Sequence, residues 1–396
     1  MDMDKKAIGK NEMIWVGVQT DETTPATLTS SGTIFLTSEA KFDQELVKAE
    51  NKEKRNTLAK QKGETAGYKV GTFSFSTNMK LSGTAGVAPP ISPLLTALFG
   101  TETVNAGTDV RYSHYLIDDE IVYLTVLYKR DFETMLITGL AINKGSLKTV
   151  ATELQAIDWS GFFAKKVHTG MDELDSAIDG TVTPVTEIPL AHYDEDYNIF
   201  DVGARIVVGD DDGGGTGLEI TAVDPADNKV TVSGGVTTAQ DAGVIVKGWT
   251  PAAAEAGYNV VGQFGWLLDS RTGSLSNVKI TESSVEIDNG FKAVENEKAD
   301  TLFPGRVSKG ADRSATFSMQ KYFSLRDLDV MKKIENNQAY EVAVNIGNAA
   351  GKIATLSIPA FTPEKNDVSG DEEKTASISG TCYEGTGSDE VTLILT

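Results

Sequence analysis

The sequence predicts a mainly β protein made of two tandem β domains, each with one flanking helix, and a small β domain inserted between them. Three observations predict it. Apolar and polar residues alternate with period two through many of the hydrophobic segments, the pattern of strands with one buried face. Thirty-eight glycines and clusters of turn-forming residues separate those segments. The chain also repeats itself at an offset of 244 residues, from Lys48 to Lys292. Lys48-Ala49-Glu50-Asn51-Lys52-Glu53-Lys54-Arg55-Asn56-Thr57-Leu58 reads against Lys292-Ala293-Val294-Glu295-Asn296-Glu297-Lys298-Ala299-Asp300-Thr301-Leu302 with six of eleven positions identical. The register continues without a gap to Thr72-Phe73-Ser74 against Thr316-Phe317-Ser318. Repetition at a fixed offset means one structural unit built twice. The expected domains are 1–170, 171–262 and 263–396.

In the first domain, residues 12–42 alternate apolar and polar, as in Met13-Ile14-Trp15-Val16-Gly17-Val18 and Thr33-Ile34-Phe35-Leu36-Thr37, and read as strands. Residues 43–70 change character: seven Lys or Arg stand against five acids in a chain that is otherwise strongly acidic. Loops this long without structure of their own are uncommon unless functional or ordered by a partner; a helix within 43–62 is the competing reading. Gly71-Thr72-Phe73-Ser74-Phe75-Ser76 alternates again and places Phe73 and Phe75 on one face of a strand. Pro89-Pro90-Ile91-Ser92-Pro93 then opens a short helix over 93–99, with Gly100 as its C-cap. Ile121 to Tyr128 and Met135 to Ile142 form a strand pair across the polar turn Lys129-Arg130-Asp131.

The segment 171–262 has no counterpart in the repeat. Its strands, at 204–208, 218–223 and 229–232, are joined by turns rich in Gly, Asp and Asn, which describe a small separate β domain. The second repeated unit opens with strands at 275–280 and 284–287, and its polar excursion spans 288–313. The Thr316-Phe317-Ser318-Met319 strand follows, and then a helix over 324–334. Leu325, Leu328, Met331 and Ile334 recur there at spacings of three, so that this stripe should lie on the sheet, with Ser324 as N-cap. A hairpin, Tyr340 to Ile346 and Ile353 to Ile358, turns at Gly347 to Lys352. Strand, long loop, strand, helix and hairpin thus recur in one order.

At 396 residues each domain has enough chain for its own core. Fifty-seven acids against 36 bases leave a net charge of −21, which argues against a surface that neutralises phosphates. One cysteine, Cys382, excludes an internal disulfide framework, and with only His114, His168 and His192 dispersed along the chain no structural zinc site is expected. The N-terminus lacks the layout of a signal peptide and no apolar run approaches about 20 residues, so the expectation is a protein made and used without crossing a membrane on its own. Gly347 to Lys352 falls one residue short of a phosphate loop and has Ile353 where a Ser or Thr belongs; it reads as a hairpin turn. Asp210-Asp211-Asp212 lacks the alternating ligands of a calcium loop and reads as a solvated turn. His192 with Asp194 to Asp196 reads as an exposed linker, and Cys382 as a buried apolar residue rather than a nucleophile. No enzyme, cofactor or metal site is expected.

The basic excursions stand apart, because a loop of one length at one place in both units is hard to ascribe to solubility. Lys48, Lys52, Lys54, Arg55, Lys60 and Lys62 in the first, and Lys292, Lys298, Arg306 and Lys309 in the second, are the candidate residues for subunit contact and stacking.

Leu81-Ser82-Gly83-Thr84-Ala85-Gly86-Val87-Ala88-Pro89-Pro90-Ile91-Ser92-Pro93-Leu94-Leu95 resembles the tail tube proteins of long-tailed bacteriophages, in which such a stretch leads into a short helix. Residues 285–291, 369–373 and 388–393 are similar to them in the second unit. The resemblance covers about 10–165 and 265–396. It implies a β-sandwich or barrel domain flanked by a helix, six domains closing a ring whose sheets line an inner barrel, and rings stacked through the long loop. With two such domains per chain, the implied assembly is a homotrimeric ring. The inserted domain would decorate the outside, and is expected to be immunoglobulin-like. The implied partners are other copies of the chain, a tape measure protein and a tail terminator, with DNA passing through the lumen without specific binding. The implied location is the virion tail, after synthesis in the host cytoplasm. A distal tail or hub ring of the same fold, or a secreted carbohydrate-binding adhesive protein, are the alternatives.

Overall fold

The computed structural model describes residues 12–49, 64–115, 120–150, 152–194, 197–254, 256–260, 266–270, 276–294, 302–303, 306–347, 349–385 and 389–396. Strands dominate, and two α-helices occur among the described residues. The chain divides into two compact units, each assembled from three stretches of sequence. The larger takes Leu36–Tyr123, Ala141–Phe162 and Ala256–Thr396; the smaller takes Met1–Phe35, Leu124–Leu140 and Phe163–Glu255. This division cuts across the boundaries read from the sequence at 170/171 and 262/263.

In the larger unit the chain forms β1 (Lys41–Asp43), β2 (Leu46–Ala49), β3 (Glu64–Tyr68), β4 (Gly71–Asn78), α1 (Ser92–Phe99), β5 (Glu133–Val150, from residue 141 on) and β6 (Ala156–Phe163). It then forms β7 (Glu282–Asp288), β8 (Phe291–Val294), β9 (Arg306–Lys309), β10 (Ser314–Tyr322), α2 (Leu328–Glu335), β11 (Tyr340–Ile346), β12 (Ala354–Ser369) and β13 (Thr375–Tyr383). Pairing gives one continuous run, β1-β4-β6-β5-β7-β10-β13-β12. The first four strands and the last four follow the same order, and β5 to β7 is the joint between them.

The pairings correspond with a shift of one residue against the 244 offset. Phe42 faces Phe73 across β1 and β4, and Val285 faces Phe317 across β7 and β10. Phe73, Phe75, Phe317 and Met319 are all buried, as the period-two pattern requires. A register shift interrupts β5 against β6 between Ile142 and Lys144, and β12 against β13 between Pro363 and Lys365. A bulge at corresponding places in two long strands bends both alike.

The two polar excursions leave and re-enter the sheet as two-stranded ribbons, β2 with β3 and β8 with β9. The helix considered within 43–62 does not occupy 46–49, which is strand. The rest of the excursion, 50–63, lies outside the described residues.

Helix α1 starts behind Pro89-Pro90 with Pro93 in its first turn and stops at Gly100, whose φ of 117° suits only glycine and whose N–H returns to the Thr96 carbonyl. It lies close on β5, where a Cβ at Gly145 would meet the Leu98 side chain at 2.3 Å. Leu94, Leu95, Ala97, Leu98 and Phe99 are fully buried. The second helix begins one turn later than expected: Ser324 and Asp327 form a capping box around a 3-10 turn at Leu325–Asp327, and α2 follows. The apolar stripe expected on the sheet is not there. Leu325 is 87% exposed, Leu328 58% and Met331 50%, while Val330 alone among the α2 side chains is fully buried. The reason is the anchor at the helix start, where Asp327 is buried in an ion pair with Lys321 of β10 at 2.5 Å. That pair turns the Val330 face inward and the Leu stripe outward.

In the smaller unit, 171–173, 245–248, 205–208, 218–224, 229–236 and 185–189 form a six-stranded sheet in that order. Leu190, Tyr193, Phe200, Ile206, Ile220 and Val232 pack in its core. The same unit holds the predicted hairpin, now Leu124–Arg130 against the first part of β5, with Asp131 at a φ of 51° in the turn.

Candidate assembly interface

The β5 to β7 joint shows how one repeated unit meets the next. Lys144 to Val150 pairs antiparallel with Asp288 to Glu282, placing Leu147 opposite Val285. Leu147 is left only 8% exposed. Two ion pairs cross the joint, Lys144 to Asp288 at 2.7 Å and Lys148 to Glu282 at 3.3 Å. Burial pushes the Asp288 carboxyl up, but hydrogen bonds from Lys144 and the Gly290 N–H outweigh it and hold the group below the ordinary carboxylate range. Residues around the joint also close the end of α1. Asn289 Nδ2 donates to the Leu98 carbonyl at 2.9 Å, and Arg313 Nη1 to the Phe99 carbonyl at 3.1 Å, satisfying carbonyls that a helix end leaves open.

Counting from the shared bulge, Lys365-Asn366-Asp367-Val368-Ser369 of β12 stands where Lys144 to Lys148 stands in β5. Within the chain that stretch pairs with β13 alone among the described strands. Val368, in the place of Leu147, is 46% exposed. At the opposite end of the run, β1 pairs only with β4 among the described strands, where β7 has β5 as a second neighbour. The run therefore leaves two strand edges, 365–369 and 41–43, whose counterparts pair with each other at its middle, while the first part of β12 continues the sheet through β11 and Thr392–Leu395. Sequence reasoning did not find these edges. The signal for them was a Lys three residues before a buried-type aliphatic in two long strands, too short to stand out without the register.

Of the residues proposed for subunit contact, Lys48 is exposed on β2, and Lys292 and Lys309 are exposed on the two strands of the second ribbon. Arg306 pairs with Val294 at the ribbon's far end, its side chain being outside the described set. Lys309 Nζ sits 5.4 Å from the centre of the Tyr115 ring. Lys52, Lys54, Arg55, Lys60, Lys62 and Lys298 lie outside the described residues.

The remaining sequence candidates resolve into structural roles. Asp211, expected in a solvated turn, is buried and accepts hydrogen bonds from the Thr237 and Thr238 N–H groups at 2.7 and 3.2 Å. His192, expected in an exposed linker, is half-buried, with Nδ1 2.8 Å from the buried carboxylate of Asp172. Cys382 is buried on β13 and its thiol is pushed up to about 12, chiefly by burial. Gly347 and Gly351 take φ of 93° and 78° between β11 and β12. Among the described residues no three His, Cys, Asp or Glu side chains are grouped to hold a metal ion, and no helix is long and apolar enough to cross a membrane.

No known family model matches the chain, and a search of curated proteins finds no significant match. The geometry defines the class of protein: a mainly β chain whose larger unit carries one strand order twice and leaves the stretches 41–43 and 365–369 with one strand neighbour each among the described strands.

Proposed function

We propose that the chain is a structural virion protein, the major tail tube subunit of a long-tailed bacteriophage, with two tube domains in one polypeptide. Three copies close a ring of six pseudo-equivalent domains, and rings stack into the channel through which DNA passes at ejection. The observation that carries this reading is the pair of sheet edges. The contact that β5 makes with β7 inside a chain can be repeated by β12 of one copy with β1 of the next. Such a head-to-tail contact is heterologous and closes into a ring when the rotation per domain divides the circle.

The helices support the same step. The α1 face is covered within the chain next to the β5 to β7 joint, whereas Leu325 of the 3-10 turn and Leu328 and Met331 of α2, beside the open β12 edge, have no such cover. A contiguous apolar face at a subunit edge marks an interaction site. The net charge of −21 per chain gives the wall an acidic balance that repels phosphates and lets DNA slide without sticking. A tape measure protein inside the tube and a terminator at its end are the further partners of this reading, and the smaller unit is placed outside the channel.

The test is negative-stain electron microscopy of the purified protein at rising concentration. Three-fold rings with six inner lobes, stacking into tubes, are expected. A monomer at every concentration, with glycan binding by that monomer, would move the adhesive reading to the front.

A further inference from the structure

The two excursions touch within a chain. At the root of the first ribbon the Tyr68 N–H donates to the Leu302 carbonyl at 2.8 Å, and the Tyr68 ring stacks on Phe303 with centroids 4.8 Å apart and planes 4° from parallel. Leu302 and Phe303 belong to the second excursion. The excursion of the second unit therefore lies on the ribbon root of the first.

At the offset of 244 residues, the counterpart of Tyr68 is Asp312 and that of Leu302 is Leu58, in a Thr57-Leu58 identical to Thr301-Leu302. The root of the second ribbon, where Asp312 lies, borders a cavity of about 510 Å³, lined also by Ala311, Arg313, His114, Asn289 and Glu390. Behind this lining His114 Nδ1, Asn289 Oδ1 and Arg313 Nη2 are buried without a hydrogen-bond partner among the described residues. Arg313 Nε and Glu390 Oε1 pair at 2.8 Å beside them.

We propose that this cavity receives the first excursion of a second copy of the chain. The contact would be the counterpart, between copies, of the one Tyr68 makes with Leu302 within a chain. Phe291 and Tyr115 give the cavity an apolar wall and Glu390 and Asp312 give it acidic residues, which suits a segment whose sequence sets Leu58 between Arg55 and Lys60. The excursions thereby clasp neighbours within one ring, in addition to any contact between rings. The inference rests on the assembly reading above, since it needs a second copy at the β12 edge.

Disulfide trapping in the full-length chain tests it. Asn56→Cys, Leu58→Cys and Lys60→Cys chains are each mixed with an Ala311→Cys chain and oxidised, and cross-linked dimer is measured on a non-reducing gel. A separate mixture of Lys41→Cys with Ser369→Cys chains reports the β1 to β12 edge contact. The expected result is at least tenfold more dimer in one of the first three mixtures than in the single variants alone, together with dimer in the edge mixture. Dimer in the edge mixture alone would overturn the clasp and leave the ring reading standing. Dimer in neither would remove both.

Discussion

Val368→Asp tests the edge contact with the least damage to the single chain. In the isolated chain Val368 is 46% exposed and faces no strand across the β12 edge, so a carboxylate there stays hydrated and the fold changes by less than about 0.5 kcal/mol. In a closed ring Val368 takes the place of Leu147, which is 8% exposed opposite Val285, and it faces Phe42 of the next copy. Two losses follow at each joint. The valine forfeits burial of about 1 kcal/mol. The carboxylate is drawn into a site without a cation, at about 3 kcal/mol. The sum of about 4 kcal/mol corresponds to roughly a thousandfold weaker contact. Sedimentation velocity over a concentration series measures this directly. Val368→Asp should stay monomeric at concentrations where the parent forms rings, with an unchanged melting temperature at low concentration. Val368→Leu, which copies the residue at the inner joint, should assemble at least as well as the parent, and Val182→Asp, at a fully solvated site, should have no effect. Assembly of Val368→Asp at the parent's concentration would refute the pairing of β12 with β1.

Replacing both Leu325 and Leu328 with Glu should leave monomer stability within about 0.5 kcal/mol and lower ring yield, since both side chains are exposed in the chain; thermal melts and particle counts check the two halves. Asp327→Asn should cost about 3–5 kcal/mol in a urea melt, because it leaves the Lys321 ammonium buried without its partner. Burial pushes the Asp327 carboxyl up, but Lys321 and Ser324 outweigh it and hold it below its ordinary value. Its contribution is therefore present above the unfolded carboxyl value of about 3.9 and lost as pH falls through the lower folded value. Urea midpoints between pH 7 and 2 should fall at the acid end for the parent, and this component should be missing in Asp327→Asn. Deleting 52–62 should give a soluble folded protein, as rings or monomers, that forms no tubes by electron microscopy; normal tubes would remove the role assigned to the first excursion.

What the sequence disclosed, and what it hid, divide along a physical line. Alternation located β4 and β10 because a strand with one buried face must place Phe73 and Phe75, or Phe317 and Met319, on that face. Pro93 and Gly100 bounded α1 because each restricts the backbone at its own position. The same reasoning failed at α2, where spacing found a stripe but could not say which way it points. That orientation depends on Lys321 reaching Asp327 across the 3-10 turn, a contact between residues of opposite charge in a segment that reads as polar. The compact units escaped for a related reason, since 1–35 and 124–140 join 163–255 through pairings between distant strands that leave no local pattern.

The repeat carries more than any local pattern because it supplies an internal control. An exposed Val368 or an exposed Leu328 taken alone is an ordinary surface residue. Set beside Leu147, Val368 becomes a position whose counterpart is covered by the following unit of the same chain, and Leu328 one whose counterparts in α1 are buried. The first unit has a successor within its chain and the second does not, so the bare positions collect on the second unit at β12, α2 and the cavity by Asp312. The assembly proposed above accounts for these bare positions by covering them with the next copy of the chain.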